Sequence, residues 1–245
     1  MSPSQLAAHE KREFASEIKF LLDPATATAV RDWARARMVA DPNAQGFAGD
    51  TYAVTSLYFD TPSLDVFHRQ GLHRHSKFRI RRYGDGSFFF ERKLKIRGRL
   101  AKRRTPVTPA EVVQLAAGLR PDSPGLWFEQ KLFARRLQPQ CQIKYQRTAR
   151  VLMSASGPIR LTLDDSICGQ PASDIRFDDT RPTVPVTDRV ILELKFRRDL
   201  PVLFRELLST FALNPVSFSK YRAALPLIGL VPAASGAPVE AKKIS

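Results

Sequence analysis

Apolar and polar residues alternate with a period of two along much of the chain, and this pattern predicts strands. Side chains on a strand point to opposite faces in turn, so such alternation indicates a strand with one apolar face. The predicted strands are 15–22, 51–60, 77–84, 87–97, 100–107, 142–153, 158–164 and 188–197. The turn composition of Tyr83-Gly84-Asp85-Gly86 separates two of them directly. The sequence therefore favours an antiparallel sheet or barrel over a doubly wound parallel fold.

Four helices are predicted between these strands. The first begins at Asp23-Pro24, an N-cap followed by proline, and ends near Asp41. A capping box at residues 108–111 starts the second helix. The third covers about residues 124–137, and the fourth begins near Pro201. Strands and helices together predict an α+β fold of one large domain.

Charged residues occupy the polar face of five predicted strands. The faces are Glu17 and Lys19; Lys77, Arg79 and Arg81; Glu91, Lys93, Lys95 and Arg97; Arg160, Thr162 and Asp164; and Arg189, Glu193, Lys195 and Arg197. An open sheet with one solvated face explains any single strand of this kind. If the sheet closes, however, these faces line a lumen, where crowded cations are tolerable beside a polyanion and a divalent cation. Charge and period together therefore suggest a tunnel for a phosphate chain.

The overall composition agrees with a polyanionic ligand. Lysine and arginine number 39 against 24 aspartate and glutamate residues, which gives a net charge of +15 among 245 residues. Such an excess attracts nucleic acid, anionic membrane or phosphate-rich small molecules, and composition alone does not choose among them. Specific nucleic-acid binding is disfavoured, because the cations alternate with carboxylates and no recognition helix or run of exposed aromatic residues accompanies them.

The chain ends and cysteines indicate a soluble, reduced, cytoplasmic protein. The predicted domain covers residues 12–228, with a flexible start at 1–11 and a disordered tail at 229–245. We expect no signal peptide and no membrane segment, because no run approaches the ~20 apolar residues that a spanning helix needs. Cys141 and Cys168 fit no disulfide framework or zinc spacing.

Several segments, in order, resemble the triphosphate tunnel metalloenzyme (CYTH-like) superfamily, and more closely its vacuolar transporter chaperone (VTC) branch, the polyphosphate polymerase domain. The resemblance covers roughly residues 12–225. It rests on Glu17-Ile-Lys19-Phe20, Ser56-Leu-Tyr58-Phe59-Asp60-Thr61, Lys77-Phe-Arg79-Ile-Arg81-Arg-Tyr83-Gly84, Phe90-Glu91-Arg-Lys93, Tyr145-Gln-Arg147-Thr148-Ala149, Arg160-Leu-Thr-Leu-Asp164, Ile191-Leu-Glu193-Leu-Lys195 and Ser217-Phe-Ser219-Lys220-Tyr221.

This resemblance implies a closed antiparallel β-barrel of about eight strands with helices packed outside. It implies a phosphate-binding set of Lys19, Arg79, Arg81, Lys93, Arg147, Arg160 and Lys220, with Lys102, Lys195 and Ser219 as further candidates. Arg79, Arg81, Lys93, Arg147 and Lys220 are the expected catalytic residues, and Glu193 is the expected ligand of Mn²⁺ or Mg²⁺. The implied partners are ATP, triphosphate and polyphosphate.

The resemblance leaves three functions open. The first is a metal-dependent polyphosphate polymerase that moves the ATP γ-phosphoryl group onto a phosphate chain. The second is an inorganic or nucleoside triphosphatase, and the third is a non-catalytic polyphosphate-binding module. Ala15 stands where the superfamily's Glu-x-Glu-x-Lys signature has its first glutamate, which favours the polymerase. Two minor questions also stay open: whether Ser219 binds phosphate or caps a helix, and whether the basic run around residues 97–104 guides an emerging chain.

Overall fold

A computed structural model of the chain describes residues 16–41, 44, 49–84, 86–96, 99–155, 157–197 and 199–232. The predicted flexible start, Ala15, Arg97 and residues 233–245 of the predicted tail lie outside these ranges. The strands are β1 (Ser16–Leu22), β2 (Val39–Ala40), β3 (Thr51–Asp60), β4 (Ser76–Tyr83), β5 (Phe88–Ile96), β6 (Arg99–Val107), β7 (Gln138–Ser154), β8 (Gly157–Pro171), β9 (Val184–Pro185) and β10 (Val190–Phe196). The helices are α1 (Pro24–Arg37), α2 (Asp65–His68), α3 (Pro109–Gln114), α4 (Leu126–Ala134), α5 (Val202–Thr210) and α6 (Lys220–Leu227).

The antiparallel sheet is open. Its main path runs β1-β10-β8-β7-β3-β4-β5-β6, and the end strands β1 and β6 do not pair with each other within the described ranges. The predicted closed barrel is therefore wrong, whereas the α+β class and the antiparallel strands are confirmed. The composition of β6 suits an edge strand, because Pro106 has no N–H to donate and Lys102 to Arg104 are consecutive cations that discourage further strand pairing.

The described chain divides into two compact units. The first contains residues 55–142 and 171–181, and it includes β4, β5, β6, α3 and α4. Its core lies on the apolar face of β4 and β5, where Phe128 of α4 stacks on Phe90 with ring centroids 4.7 Å apart. Gly125, just before α4, permits this approach, since a Cβ atom there would lie 2.7 Å from the Phe90 ring.

The second unit contains residues 16–54, 143–170 and 182–232 of the described chain. Its core is formed by the apolar faces of β1, β8 and β10 together with α1 and α5, and includes Phe20, Trp33, Leu161, Leu192 and Phe204. The start of α1 follows the predicted chemistry: the side chain of Asp23 accepts a hydrogen bond of 2.9 Å from the backbone N–H of Thr26. The period-two alternation therefore assigned the apolar faces of β1, β8 and β10 correctly, and these faces pack on α1 and α5.

Several elements differ from the sequence-based expectations. β7 and β8 extend beyond the predicted 142–153 and 158–164, so each is longer than its alternating part. Helix α6 was not predicted, because it has only eight residues and contains Pro226. No helix in the described part of the chain combines the length and the apolar character required to cross a membrane.

Candidate functional site

The charged face of the first unit is built by three consecutive strands. Antiparallel pairing places Arg79 of β4 opposite Glu91 of β5, and Glu91 opposite Arg104 of β6. The next row along the strands consists of Lys77, Lys93 and Lys102. Side chains opposite one another on the same face lie about 5 Å apart at Cβ, so each row brings its charges together.

Glu91 is the centre of this face and is only 1% exposed. Its Oε2 atom lies 2.7 Å from Nη2 of Arg79 and 3.8 Å from Nη1 of Arg81. Its Oε1 atom lies 2.6 Å from Nζ of Lys102 and 3.4 Å from Nε of Arg104. We call these five residues the Glu91 cluster. One carboxylate thus lies within 4 Å of four cations.

Neighbouring hydroxyl groups fix the two arginines of β4. Nη1 of Arg79 donates to the Tyr58 hydroxyl at 3.1 Å, and Nε of Arg81 donates to Oγ of Ser56 at 3.2 Å. Burial alone raises the pKa of Glu91, but Lys102 and the three arginines overcome this and hold the pKa well below its usual value. Glu91 is therefore ionised at neutral pH.

The excess of cations also changes the pKa values of two groups at the edge of the cluster. Burial opposes ionisation of Tyr83, yet Arg81, Arg104 and Lys102 lower its pKa to about 7. Burial and the arginines lower the pKa of Lys102 to about 8, although Glu91 acts in the opposite direction. Ionisation of Tyr83 adds a negative charge, and loss of the Lys102 proton removes a positive charge. Both shifts therefore reduce the net positive charge of the cluster, as expected where one carboxylate does not balance the neighbouring cations.

The second unit has a different charged face. Cross-strand pairing places Lys19 of β1 opposite Glu193 of β10, and Glu17 opposite Lys195. Nζ of Lys19 lies 3.1 Å from Oε1 of Glu193 and 3.3 Å from Oε1 of Glu17, while Nζ of Lys195 lies 2.8 Å from Oε2 of Glu193. Two carboxylates thus face one ammonium group.

Asp164 extends this network and is fully buried. It accepts two hydrogen bonds from Arg147, of 2.6 and 2.7 Å, and forms an ion pair with Lys220 at the start of α6. Lys220 also lies 3.6 Å from Oε1 of Glu193. We call Glu17, Lys19, Arg147, Asp164, Glu193, Lys195 and Lys220 the Glu193 cluster.

Cations hold the carboxylates of the Glu193 cluster ionised. Burial raises the pKa of Asp164, but Arg147 and Lys220 outweigh it and lower the pKa to about 2. For Glu193, Lys19 and Lys195 outweigh burial and keep the pKa well below its usual value. These carboxylates are consequently weak bases at neutral pH.

Two buried hydroxyl groups of this unit have no hydrogen-bond partner in the described structure, those of Tyr145 and Thr162. Thr162 is opposite Glu193 in the β8–β10 register, and Nζ of Lys220 lies 4.8 Å from the centroid of the Tyr145 ring. Both residues therefore border the Glu193 cluster.

The predicted site residues fall into three groups. Arg79, Arg81 and Lys102 join the Glu91 cluster, with Lys93 in the row beside them. Lys19, Arg147, Glu193, Lys195 and Lys220 join the Glu193 cluster. The other two, Arg160 and Ser219, have different contacts: Arg160 pairs with Asp41 at 2.7 Å and donates to Tyr52, and Ser219 is the N-cap of α6.

Sequence reasoning did not name four members of these clusters as functional candidates: Glu17, Glu91, Arg104 and Asp164. Glu17 and Glu91 were noted only as charges on their strand faces and within the quoted segments. Arg104 was read only as part of a basic run, although it lies two residues after Lys102 and hence on the same face of β6. Asp164 was noted for its alternation, but its role as the link between Arg147 and Lys220 needs the position of the unpredicted α6. Among the residues that the structure describes, no three His, Cys, Asp or Glu side chains form a ready-made metal site.

Comparison with protein families identifies the fold that carries these clusters. The model of the VTC domain matches residues 14–228. The chain belongs to the VTC domain family. The match confirms the predicted resemblance. It covers every strand and helix that the structure describes in this chain. Comparison with curated proteins finds no match.

Two solved structures share the fold of this VTC domain. A candidate adenylate cyclase from Bacillus halodurans is 16% identical, with 84% of this chain and 94% of that chain covered, at a TM-score of 0.54. A candidate adenylyl cyclase from Hippeastrum, described as having a dominant triphosphatase activity, is 14% identical, with 85% and 93% covered, at a TM-score of 0.50. At these identities the likeness shows the fold alone.

Proposed function

We propose that this protein is a metal-dependent polyphosphate polymerase: it binds condensed phosphate and transfers the γ-phosphoryl group of ATP onto a growing polyphosphate chain. The observation that supports this most strongly is the charge of the Glu91 cluster, where one buried carboxylate has four cationic neighbours. Buried like charges repel one another, and an added polyanion would relieve that repulsion.

The side chains of the Glu91 cluster suit phosphate oxygens. The planar guanidinium groups of Arg79 and Arg81 can each donate two hydrogen bonds to one phosphate group, whereas Lys93 and Lys102 act as mobile point charges. Tyr58 and Ser56 hold the arginines in place before a ligand arrives. Binding would therefore need little reorganisation, which favours affinity.

The Glu193 cluster fits a divalent cation. The carboxylates of Glu17 and Glu193 both lie close to the ammonium group of Lys19, so both could also reach a divalent cation at that position. Mg²⁺ and Mn²⁺ prefer oxygen ligands, and Mg²⁺ is commonly held by one or two carboxylates together with substrate phosphates. Glu193, with Glu17, would hold the metal, which when bound would neutralise charge on the transferred phosphoryl group.

The other cations of this cluster would bind and orient phosphate oxygens. Asp164 fixes the direction of the Arg147 guanidinium by two hydrogen bonds and holds Lys220 beside it. Lys19 and Lys195 supply further positive charge next to Glu193. Arg160 and Ser219 are proposed as weaker contributors, because Asp41 already neutralises the former and the latter caps α6.

A phosphate acceptor suits a site whose carboxylates are weak bases. Attack by water benefits from a general base with a pKa near the working pH. The pKa values of Glu91, Asp164 and Glu193 all lie below their usual values, so these carboxylates are poor bases. The terminal oxygen of a phosphate chain is already anionic, and its attack needs positioning and charge neutralisation instead of a base.

Product analysis tests this proposal. Purified protein is incubated with ATP and Mn²⁺, and long phosphate polymer is separated from orthophosphate. Polymer plus ADP is the expected result. Orthophosphate without polymer would replace the polymerase with a triphosphatase, and tight triphosphate binding without turnover would leave a binding module. The Glu193→Gln variant is the matched control, because it separates turnover by this site from contaminating phosphatases.

A further inference from the structure

The charged face of the first unit changes character along its strands. Beyond the row of Lys77, Lys93 and Lys102 comes the row of Arg79, Glu91 and Arg104. The third row consists of Arg81, Phe89 and Pro106, and Tyr83 lies on the same face at the hairpin end of β4. The face therefore passes from cations to aromatic rings within three rows.

At the aromatic end, a guanidinium group lies over one ring and close to a second. Cζ of Arg104 lies 3.4 Å from the centroid of the Phe89 ring and 5.2 Å from that of the Tyr83 ring. The two rings meet edge to face, with centroids 5.6 Å apart and planes at 88°. Cζ of Arg81 also lies 6.0 Å from the centroid of the Tyr83 ring.

Core packing does not explain this arrangement. The aromatic core of the unit lies on the opposite face of β4 and β5, where Phe78 and Phe90 contact Phe128. Tyr83 and Phe89 are only half-buried, and they share their face with Glu91 and its cations. Aromatic rings and guanidinium groups on a charged face are groups on which nucleobases stack.

We propose that Tyr83, Phe89 and Arg104 bind the base of a nucleoside triphosphate, whose phosphates lie on Arg81 and Arg79 of the neighbouring strand β4. This inference rests on the proposed phosphate binding by the Glu91 cluster and adds a preference for nucleotides over inorganic triphosphate. Successive rows are about 7 Å apart along a strand. Tyr83, Arg81 and Arg79 follow one another at such steps along β4, so a nucleotide can lie with its base at Tyr83 and its phosphates towards Arg79.

The ring of Phe89 provides the test, because its neighbour Phe88 is a matched control on the other face. Phe88 packs edge to face on Phe177, with centroids 5.4 Å apart, and is paired with Arg82 rather than Arg81. Phe89→Leu and Tyr83→Leu each remove an aromatic ring but keep an apolar side chain. Calorimetry would give the affinity of each variant for ATP and for inorganic triphosphate.

We expect Phe89→Leu to weaken ATP binding roughly five- to a hundredfold, since base stacking is worth about 1–3 kcal/mol. Affinity for inorganic triphosphate should stay within about twofold of wild type on the same scale. Phe88→Leu should change neither affinity. Tyr83→Leu repeats the test at the other ring, so misfolding of one variant does not decide the outcome.

Equal losses for both ligands, or unchanged ATP affinity in both ring variants, would overturn the nucleobase inference and leave the phosphate proposal intact. If wild-type protein binds neither ligand, both proposals fail together. A measurement on wild-type protein adds an independent check: the fluorescence of ethenoadenosine triphosphate should be quenched on binding. An unquenched but bound analogue would also contradict stacking of its base.

Discussion

The Glu91 and Glu193 clusters are both buried networks of carboxylates and cations, yet they differ in balance. The Glu91 cluster has one carboxylate for four cations, whereas the Glu193 cluster has three carboxylates for four. The first is short of negative charge, which an anionic ligand would supply. The second is more nearly balanced, and a divalent cation is proposed for Glu193 and Glu17 there.

Their chain origins also differ. The charged side chains of the Glu91 cluster come from β4, β5 and β6, which follow one another directly and pair in that order. Those of the Glu193 cluster come from β1, β7, β8, β10 and α6, which are distant along the chain. A local meander is sufficient for a cationic surface, but the mixed network depends on the whole second unit being folded.

The largest expected effect is the loss of turnover when the Glu193 cluster loses its proposed metal ligand. Glu193→Gln should reduce metal-dependent turnover at least about 100-fold, because a metal contributes several kcal/mol of charge stabilisation. Triphosphate binding should be largely retained, since Lys19, Lys195 and Lys220 are unchanged. Product formation from ATP with Mn²⁺ and calorimetry with triphosphate measure the two properties. Full activity in this variant would show that Glu193 does not hold the metal.

The Glu91→Gln variant tests whether Glu91, at the centre of the other cluster, stabilises the fold. It leaves Arg79, Arg81 and Lys102 without their buried counter-charge, so we expect the free energy of unfolding to fall by about 3–5 kcal/mol. Urea titration measures this change. Asp174→Asn, which breaks the exposed pair between Asp174 and Arg176, is the control and should leave stability nearly unchanged. Similar stability losses in both variants would argue against a central role for Glu91.

Single cations of each cluster should contribute moderately to phosphate affinity. Arg79→Ala and Lys220→Ala should each weaken triphosphate binding roughly ten- to a hundredfold, since a hydrogen bond to a charged group is worth about 1.5–3 kcal/mol. Arg176→Ala removes the same charge from an exposed position and serves as the control. If both cluster variants bind as tightly as wild type, the charged faces are not the phosphate sites.

A smaller effect is expected from the titration of Tyr83. Because its pKa is lowered to about 7, the folded protein releases this proton between about pH 7 and 10, whereas the unfolded chain retains it. The unfolded state then binds more protons, so this contribution to stability rises with pH in that window and is lost as the pH falls through 7. Near-ultraviolet absorbance should show one tyrosinate forming near pH 7.

Tyr83→Phe should abolish that transition and make the stability less dependent on pH in the same range. A transition that persists in this variant would belong to another tyrosine. Glu91→Gln should move the transition to lower pH, because Glu91 opposes ionisation of Tyr83. This last change distinguishes an effect of the Glu91 cluster from a general effect of net charge.

Sequence alone predicted the first unit better than the second. Period-two alternation placed Arg79, Arg81 and Glu91 on one face, and the short turn after Tyr83 made their strands neighbours. The contact of Asp164 with Arg147 and Lys220 could not be inferred, because it depends on long-range strand order and on α6. Barrel closure was expected from the family resemblance, and the charged faces were compatible with it, but Pro106 and the consecutive cations of β6 fit an open edge.

Ser219 gives the smallest expected effect and resolves an alternative that the sequence left open. Its Oγ atom accepts a hydrogen bond from the backbone N–H of Arg222 at 3.4 Å, as an N-cap does. If capping is its only role, Ser219→Ala should lower the free energy of unfolding by about 1 kcal/mol and leave triphosphate affinity unchanged.

Ser209→Ala is a matched control for that variant, because its hydroxyl donates to the Glu206 carbonyl near the end of α5 instead of capping a helix start. Urea titration and calorimetry on the two variants give stability and affinity separately. A tenfold loss of triphosphate affinity in Ser219→Ala, with unchanged stability, would instead place the hydroxyl on phosphate. Because Ser219 directly precedes Lys220, that result would extend the phosphate site of the Glu193 cluster to the first turn of α6.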